Sequence, residues 1–173
     1  MNKFYVTGIS GTGKSTIVKE FIKRGFRAFD IDEISDLCHW RNKKTGEKAE
    51  YYSGIGLDWL EAHDWICDKV KLKKLLDNQS GPVIVGGISS NQDEYLDLFD
   101  KVFLLHCREG VFLDRLNNRT GNEFAQTKPE QDYILSWYKS WEKDIRKYGA
   151  VPIDTGNSVS DVIEEILSYV GFV

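Results

Sequence analysis

The residues from Gly8 to Ser15 have the types and spacing needed to hold a phosphate group. They read Gly-Ile-Ser-Gly-Thr-Gly-Lys-Ser, which fills every position of a G-x-x-x-x-G-K-S motif. Glycines let backbone amides approach phosphate oxygens, Lys14 can bridge the β- and γ-phosphates, and the Ser15 hydroxyl can ligate magnesium. The sequence therefore predicts a nucleotide phosphate site formed by Gly8, Gly11, Thr12, Gly13, Lys14, Ser15 and Thr16.

The segments on either side of this loop suit the same function. Residues 3–7 have the apolar character of a short buried strand, and residues 15–22 have the spacing of an amphipathic helix. A helix that begins at the loop directs its free N–H groups and its positive dipole end at a bound anion. A glycine-rich turn that binds nothing is the alternative, and it does not explain why both flanks are suitable.

The remaining chain alternates between predicted strands and helices. Further strands are predicted at 26–30, 83–85, 101–106 and 150–153, with a short helix at 31–40, an irregular segment at 41–56 and a long helix at 57–78. Helices are also predicted at 91–99, 109–118, about 128–148 and after Ser158. This alternation predicts an α/β fold of three layers, with a five-stranded parallel sheet and helices on both faces.

Ligands of such sheets bind beyond the carboxyl ends of the strands, so the residues that follow each strand are candidates for the site. Asp30 and Asp32 follow the second strand, where carboxylates can serve a magnesium ion and an acceptor hydroxyl. The alternative is that Asp32 only caps the next helix.

Two other strand ends carry weaker signals. Gly86 and Gly87 follow the third strand and would let a substrate lie close to the backbone, or else form a tight turn. Asp154 follows the fifth strand in a turn that either borders a purine base or caps the last helix.

Arg115 and Arg119 follow the fourth strand, four residues apart on one helical face. Guanidinium groups stabilise the charge of a transferring phosphoryl group. We predict that one of them is catalytic, that Arg115 also contacts the nucleotide, and that residues from about 115 to 130 form a lid. Solvated arginines paired with Asp114 or Glu123 are the alternative.

Aromatic and basic residues are mixed between Trp40 and Trp65. This mixture predicts either an acceptor pocket for a planar or anionic substrate, with Arg41 and His63 as binding residues, or a helical lid packed on the sheet. Tyr133, Trp137 and Trp141 recur every four residues, which is more typical of a helix face in the core than of a stacking platform.

Composition limits the classes of function. The chain has 173 residues, which suits one domain, and its net charge of -4 argues against a protein that binds a nucleic acid duplex by bulk electrostatics. No apolar run is long enough for a membrane span, and the first strand leaves no room for a signal peptide. Three irregularly spaced cysteines fit a reducing cytoplasm better than a disulfide framework or a zinc site.

These residues together resemble the small P-loop kinases, a group that includes adenylate, shikimate and gluconate kinases. The resemblance rests on the loop 8–15, Asp30-x-Asp32, Gly86-Gly87 and Arg115-Leu116-x-x-Arg119. Within that group the chain is most similar to uncharacterised bacterial ATP-binding proteins, through the run 87–92, Phe99-Asp100, Arg115-Leu116 with Arg119-Thr120, and Ile153-Asp154-Thr155.

The resemblance implies a sheet of strand order 2-3-1-4-5, a helical acceptor-binding region at about 33–80 and a lid at about 115–130. It implies that Lys14 and Ser15 hold phosphate and Mg²⁺, that Asp30 lies near the metal, and that Asp32 touches the acceptor hydroxyl. The acceptor-side arginine motif of shikimate kinases and the Asp-Gly-x-Pro-Arg run of adenylate kinases are absent from the sequence.

The expected function is therefore ATP- and Mg²⁺-dependent phosphoryl transfer to a small acceptor, with a nucleoside or nucleotide favoured slightly over a hydroxylated acid or sugar. A nucleotide-dependent switch that hydrolyses ATP slowly and signals to a partner protein is the alternative. A monomer or a homodimer is expected.

Overall fold

The computed structural model describes residues 2–120 and 124–171. In chain order its helices and strands are β1 (Lys3–Thr7), α1 (Lys14–Lys23), β2 (Ala28–Asp30), β3 (Cys38–Asn42), β4 (Lys48–Ala49), α2 (Leu57–Ala62), β5 (His63–Cys67), α3 (Lys69–Asp77), β6 (Val83–Gly86), β7 (Lys101–His106), α4 (Glu109–Asn118), α5 (Lys128–Lys147), β8 (Val151–Asp154) and α6 (Val159–Val170). Short 3-10 turns lie at Ile31–Glu33, Gln92–Glu94 and Leu96–Leu98.

A parallel five-stranded sheet forms the centre of the molecule, in the order β2-β6-β1-β7-β8. Counting only these strands along the chain gives 2-3-1-4-5, so the expected order is confirmed. The strands are apolar on both faces because helices cover both. Tyr5, Val85 and Leu104 pack towards α3 and α5, whereas the alternate residues of these strands, such as Phe4 and Phe103, pack towards α1 and α6.

A second sheet replaces part of the predicted helical region at 33–80. It is antiparallel, in the order β4-β3-β5. The helix predictions for residues 38–40 and 63–67 and the irregular segment predicted for residues 41 and 42 were therefore wrong. The alternation of side chains that marks a strand is difficult to recognise in a segment of only five residues. The strand becomes evident only from the pairing, in which Trp40 lies opposite Trp65 and Cys38 lies opposite Cys67. Only α2 and α3 of this region are helices longer than a single turn.

Other local predictions agree more closely with the structure. Thr127 and Glu130 form the expected capping box of α5, and Ser158 caps α6 by accepting from the Asp161 amide. The helix predicted at 91–99 is instead two short 3-10 turns. Gly121, Asn122 and Glu123 of the predicted lid lie outside the described residues, so the lid stays a prediction. The single-domain organisation also stays a prediction. In the two described ranges, no helix combines the length and apolar character that crossing a membrane requires.

Gly86 brings α1 close to the sheet. A Cβ atom at Gly86 would lie 2.4 Å from Cγ2 of Val18, a buried residue of α1. The absence of a side chain therefore lets the first turns of α1 rest on the end of β6. Because the phosphate loop leads directly into α1, this packing helps to set the distance between the loop and the carboxyl ends of the strands.

We expect Gly86→Ala to lower the free energy of unfolding by about 1–3 kcal/mol, because the added methyl overpacks against Val18. Denaturant unfolding measures this, with Gly81→Ala as the control because no atom lies within 4 Å of a Cβ there. In the double variant Gly86→Ala/Val18→Ala the two losses should be less than additive. Additive losses would contradict direct packing of Gly86 on Val18.

Candidate active site

The loop between β1 and α1 encloses the Lys14 ammonium group. Gly13 has a φ of 98° at the start of α1, a conformation that favours glycine. Lys14 is only 8% exposed, and its Nζ donates to the carbonyl oxygens of Gly8 at 2.6 Å and Ile9 at 3.1 Å. One of its three N–H donors therefore remains for a ligand.

Burial lowers the pKa of Lys14 to about 8, while the charges of Asp32 and Asp30 act in the opposite direction. The loop thus holds a cation whose loss of hydration is only partly compensated within the protein. An anion in the loop would compensate it further, which is the electrostatic property expected of a phosphate site.

Asp30 connects the phosphate loop to the end of β2. Its carboxylate is 2% exposed; it accepts from Ser15 Oγ at 2.6 Å through one oxygen and from the Asp32 amide at 3.0 Å through the other. Asp30, and not Asp32, therefore caps the short turn at 31–33. The Asp32 carboxylate is left to face the cleft.

Asp32 lines the cleft and is exposed to solvent. Trp65 Nε1 donates to Asp32 Oδ1 at 2.9 Å. Burial, followed by the neighbouring charge of Asp30, raises the pKa of Asp32 to about 6, while Lys14 and the Trp65 hydrogen bond act in the opposite direction. A carboxyl group with this pKa is mostly ionised at neutral pH and can still accept a proton during a reaction.

The two predicted arginines both line the cleft on the side of the phosphate loop. Arg115 donates to the Thr155 carbonyl oxygen at 2.6 Å and to Thr155 Oγ1 at 3.2 Å, which fixes it beside Gly13. Arg119 is half-buried, and burial lowers its pKa while Tyr51 and Glu130 act in the opposite direction. Sequence reasoning named Thr155 only as part of the run 153–155 and gave it no role of its own, since that role depends on β8 meeting α4.

One cleft of about 1550 Å³ contains the whole arrangement. Its lining includes the loop residues 10–16, Asp30, Asp32 and both arginines. Sites for one small ligand usually occupy about 300–1,000 Å³. The cleft is therefore large enough for a nucleotide and a second small molecule together.

Aromatic side chains form the opposite side of this cleft, a surface called the aromatic wall below: Trp40, Tyr51, Trp65 and Phe124. The ring centroid of Trp40 lies 5.8 Å from that of Tyr51, 5.5 Å from that of Trp65 and 6.0 Å from that of Phe124. Trp137 and Trp141, which were predicted to be core, are half-buried and also line the cleft. The antiparallel sheet, and not a helical lid, presents Trp40 and Trp65.

His63 lines the cleft but is held as part of the scaffold. Its Nδ1 lies 2.7 Å from the Trp59 carbonyl oxygen, and its Nε2 lies 3.2 Å from Asn42 Nδ2. Its ring also stacks on Trp59, with centroids 4.0 Å apart. A neutral tautomer that donates from Nδ1 and accepts at Nε2 fits both contacts.

Other candidate residues lie outside the cleft lining: Gly8, Arg41, Gly86, Gly87 and Asp154. Gly8 still contributes, because its carbonyl oxygen accepts from Lys14. A Cβ at Gly87 would lie 2.2 Å from Ile31 Cγ1, so this glycine serves packing, as Gly86 does. The Asp154 carboxylate accepts from the Gly156 amide at 2.8 Å, and Thr155 and Asn157 line the cleft in its place.

Comparisons with known proteins agree with this architecture. A family model described as an AAA domain matches residues 5–136. The chain belongs to this AAA domain family. No protein of curated function matches the sequence at a significant level.

Solved structures of small kinases share the fold of this AAA domain protein at low sequence identity. Deoxyadenosine kinase from M. mycoides with bound dATP is 17% identical, with a TM-score of 0.61 and coverage of 98% of this chain and 99% of that chain. Shikimate kinase from Acinetobacter baumannii in complex with shikimate is 17% identical, with a TM-score of 0.63 and coverage of 98% and 93%. A gluconokinase from Sinorhizobium meliloti 1021 is 18% identical, with a TM-score of 0.57 and coverage of 98% and 91%.

The raised pKa of Asp32 can be measured without any substrate. We expect a pH titration of tryptophan fluorescence to show a step near pH 6, because protonation of Asp32 weakens its hydrogen bond from Trp65. The step should be absent in Asp32→Asn and retained in Asp36→Asn, a change in the same loop. In Lys14→Met the midpoint should move to higher pH, because a cation that stabilises the carboxylate is removed. A step that survives in Asp32→Asn would assign the titration to another group.

Proposed function

We propose that this protein transfers the γ-phosphate of ATP to a hydroxyl group of a small molecule. The observation that carries the proposal is the Asp32 carboxylate, which is free of the capping role that Asp30 takes and faces the same cleft as Lys14. A phosphate loop alone supports nucleotide binding, whereas a carboxylate across from it supports a reaction with an acceptor.

The residues present also suit a magnesium ion. Ser15 Oγ and the Asp30 carboxylate lie 2.6 Å apart, and both offer oxygen ligands, which Mg²⁺ prefers. Mg²⁺ needs few protein ligands when phosphate oxygens and water supply the rest, which is consistent with the lack of any three-residue acidic, histidine or cysteine cluster in the described residues. When bound there, the ion would neutralise charge on the phosphates.

In the proposed reaction each protein group has a defined task. Lys14, and the amides of the loop and of the first turn of α1, bind the phosphates, and Arg115 or Arg119 stabilises charge on the transferring group. Asp32 orients the acceptor hydroxyl and accepts its proton, and Trp65 holds Asp32 in place. Catalysis then rests on positioning and charge compensation.

The structural relatives support this proposal at the level of the fold. They are a deoxyadenosine kinase, a shikimate kinase and a gluconokinase, so this architecture serves kinases of three different acceptors. We further propose that the protein acts in the cytoplasm, because Cys38, Cys67 and Cys107 are all free thiols. We also propose that it acts as a monomer or homodimer.

The test is a coupled assay of ADP release with ATP, Mg²⁺ and a panel of hydroxyl acceptors. We expect one class of acceptor to stimulate release, and Lys14→Ala to abolish it. Asp32→Asn should lower kcat by at least about 100-fold, because the proton acceptor is lost, while ATP binding is retained. Asp36→Asn is the control.

Two results would contradict the proposal. Slow ADP release that no acceptor stimulates would favour a nucleotide-dependent switch. An Asp32→Asn variant with unchanged transfer would remove Asp32 from the mechanism.

The pH dependence gives a separate prediction. Because the ionised form of Asp32 accepts the proton, kcat/KM should rise with pH through an apparent pKa near 6 and fall off below it. Trp65→Phe removes a hydrogen bond that stabilises the carboxylate, so this limb should move to higher pH. A limb that stays in place in Trp65→Phe would show that another group sets it.

A further inference from the structure

Charge is distributed unevenly across the cleft. Among the described lining residues, the lysines and arginines lie in α1, in α4 or directly after α4: Lys14, Lys19, Arg115 and Arg119. Within residues 2–120 and 124–171, the aromatic wall and the strands that carry it contribute no lysine or arginine to the lining. The acidic residues of the described lining are Asp30, Asp32, Glu33, Asp64 of β5 and Asp114 of α4.

The basic residues of the second sheet lie on its other face. Trp40 is opposite Trp65 in the sheet, whereas Arg41 is opposite Lys48 and Asp64. Side chains alternate between the two faces of a strand, so Arg41 cannot share the face of Trp40. From this sheet Trp40, His63, Asp64 and Trp65 line the cleft, so the segment contributes aromatic rings but no lysine or arginine there.

Arg119 is influenced electrostatically by Tyr51 of the aromatic wall and by the buried carboxylate of Glu130. Burial lowers the pKa of Arg119, while the charges of Tyr51 and Glu130 act in the opposite direction. Glu130 is 2% exposed and accepts from the Tyr51 hydroxyl and from the amides of Gly54 and Thr127. This local balance leaves little positive potential for an anionic acceptor.

From this distribution we infer that the acceptor is an uncharged alcohol that carries a planar ring, and specifically a nucleoside rather than a nucleotide or a hydroxylated acid. Its ring would stack on the aromatic wall. Its hydroxyl would contact Asp32, and this contact rests on the proposed function. A carboxylate or phosphate on the acceptor would lie against aromatic carbon and near the Asp32 charge, with no cation there to replace its hydration.

The first test is calorimetric binding of matched ligands to the whole chain without ATP. The ligands are the common ribo- and deoxyribonucleosides, each with its own 5′-monophosphate, together with shikimate and gluconate. We expect at least one nucleoside to bind at least about tenfold more tightly than its monophosphate, since stacking is retained while an unpaired charge is added. A monophosphate or an acid that binds as tightly as every nucleoside, or the absence of nucleoside binding, would overturn the inference.

Variants then locate the binding surface. Trp40→Ala should weaken nucleoside binding at least about fivefold, whereas Tyr52→Ala, an exposed neighbour of Tyr51 outside the cleft lining, should not change it. Phe124→Lys introduces a cation into the wall and should reduce the preference for nucleoside over monophosphate. Unchanged ATP binding and thermal melting show that each variant is folded. A preference that Phe124→Lys leaves intact would overturn the electrostatic basis of the inference.

Failure of this inference and failure of the proposed function give different results. Stimulation of ADP release by shikimate, gluconate or a nucleoside monophosphate, but by no nucleoside, would overturn the inference and keep the phosphotransferase. Tight nucleoside binding without any phosphoryl transfer would support the recognition of the ring and reject the proposed function.

Discussion

The buried carboxylate of Asp30 is the interaction on which the arrangement of the site depends. It accepts from Ser15 at the start of α1 and from the Asp32 amide after β2, so it connects two segments that are distant along the chain. Because Asp30 satisfies the backbone of the turn at 31–33, Asp32 has no structural hydrogen bond of its own to that turn and can face the cleft. Asp30 thus holds the turn and Ser15 in place, whereas Asp32 faces the cleft.

The electrostatic properties of the cleft follow from the same geometry. Lys14 and Asp32 are each destabilised in their charged forms by burial, and each acts on the other in the opposite direction. The pKa of the lysine is lowered and that of the aspartate is raised, which brings both closer to neutral pH. Groups with such pKa values are typical of functional sites, and here both line a cleft large enough for two ligands.

The second, antiparallel sheet supplies the part of the cleft that the central sheet does not provide. The central sheet supplies the phosphate loop and the carboxylates at its strand ends, as in many proteins of this architecture. The antiparallel sheet adds Trp40 and the Trp65 indole that donates to Asp32, so the aromatic wall and the positioning of Asp32 are coupled through one strand pair. The packed aromatic rings give this side of the cleft a defined shape with little side-chain entropy to lose on binding.

The sequence by itself determined the phosphate loop, the strand order implied by the resemblance, the two carboxylates after β2 and the arginine pair of α4. These signals are local: each motif is contained in a short segment, and apolar strands buried on both faces are readily recognised. The tertiary structure decided which aspartate is structural, because that depends on Ser15 reaching Asp30. It also decided the conformation of 63–67, a run of five residues compatible with helix until β3 pairs with it. The aromatic wall was decided in the same way, since the formation of β3 places Arg41 and Trp40 on different faces of the second sheet.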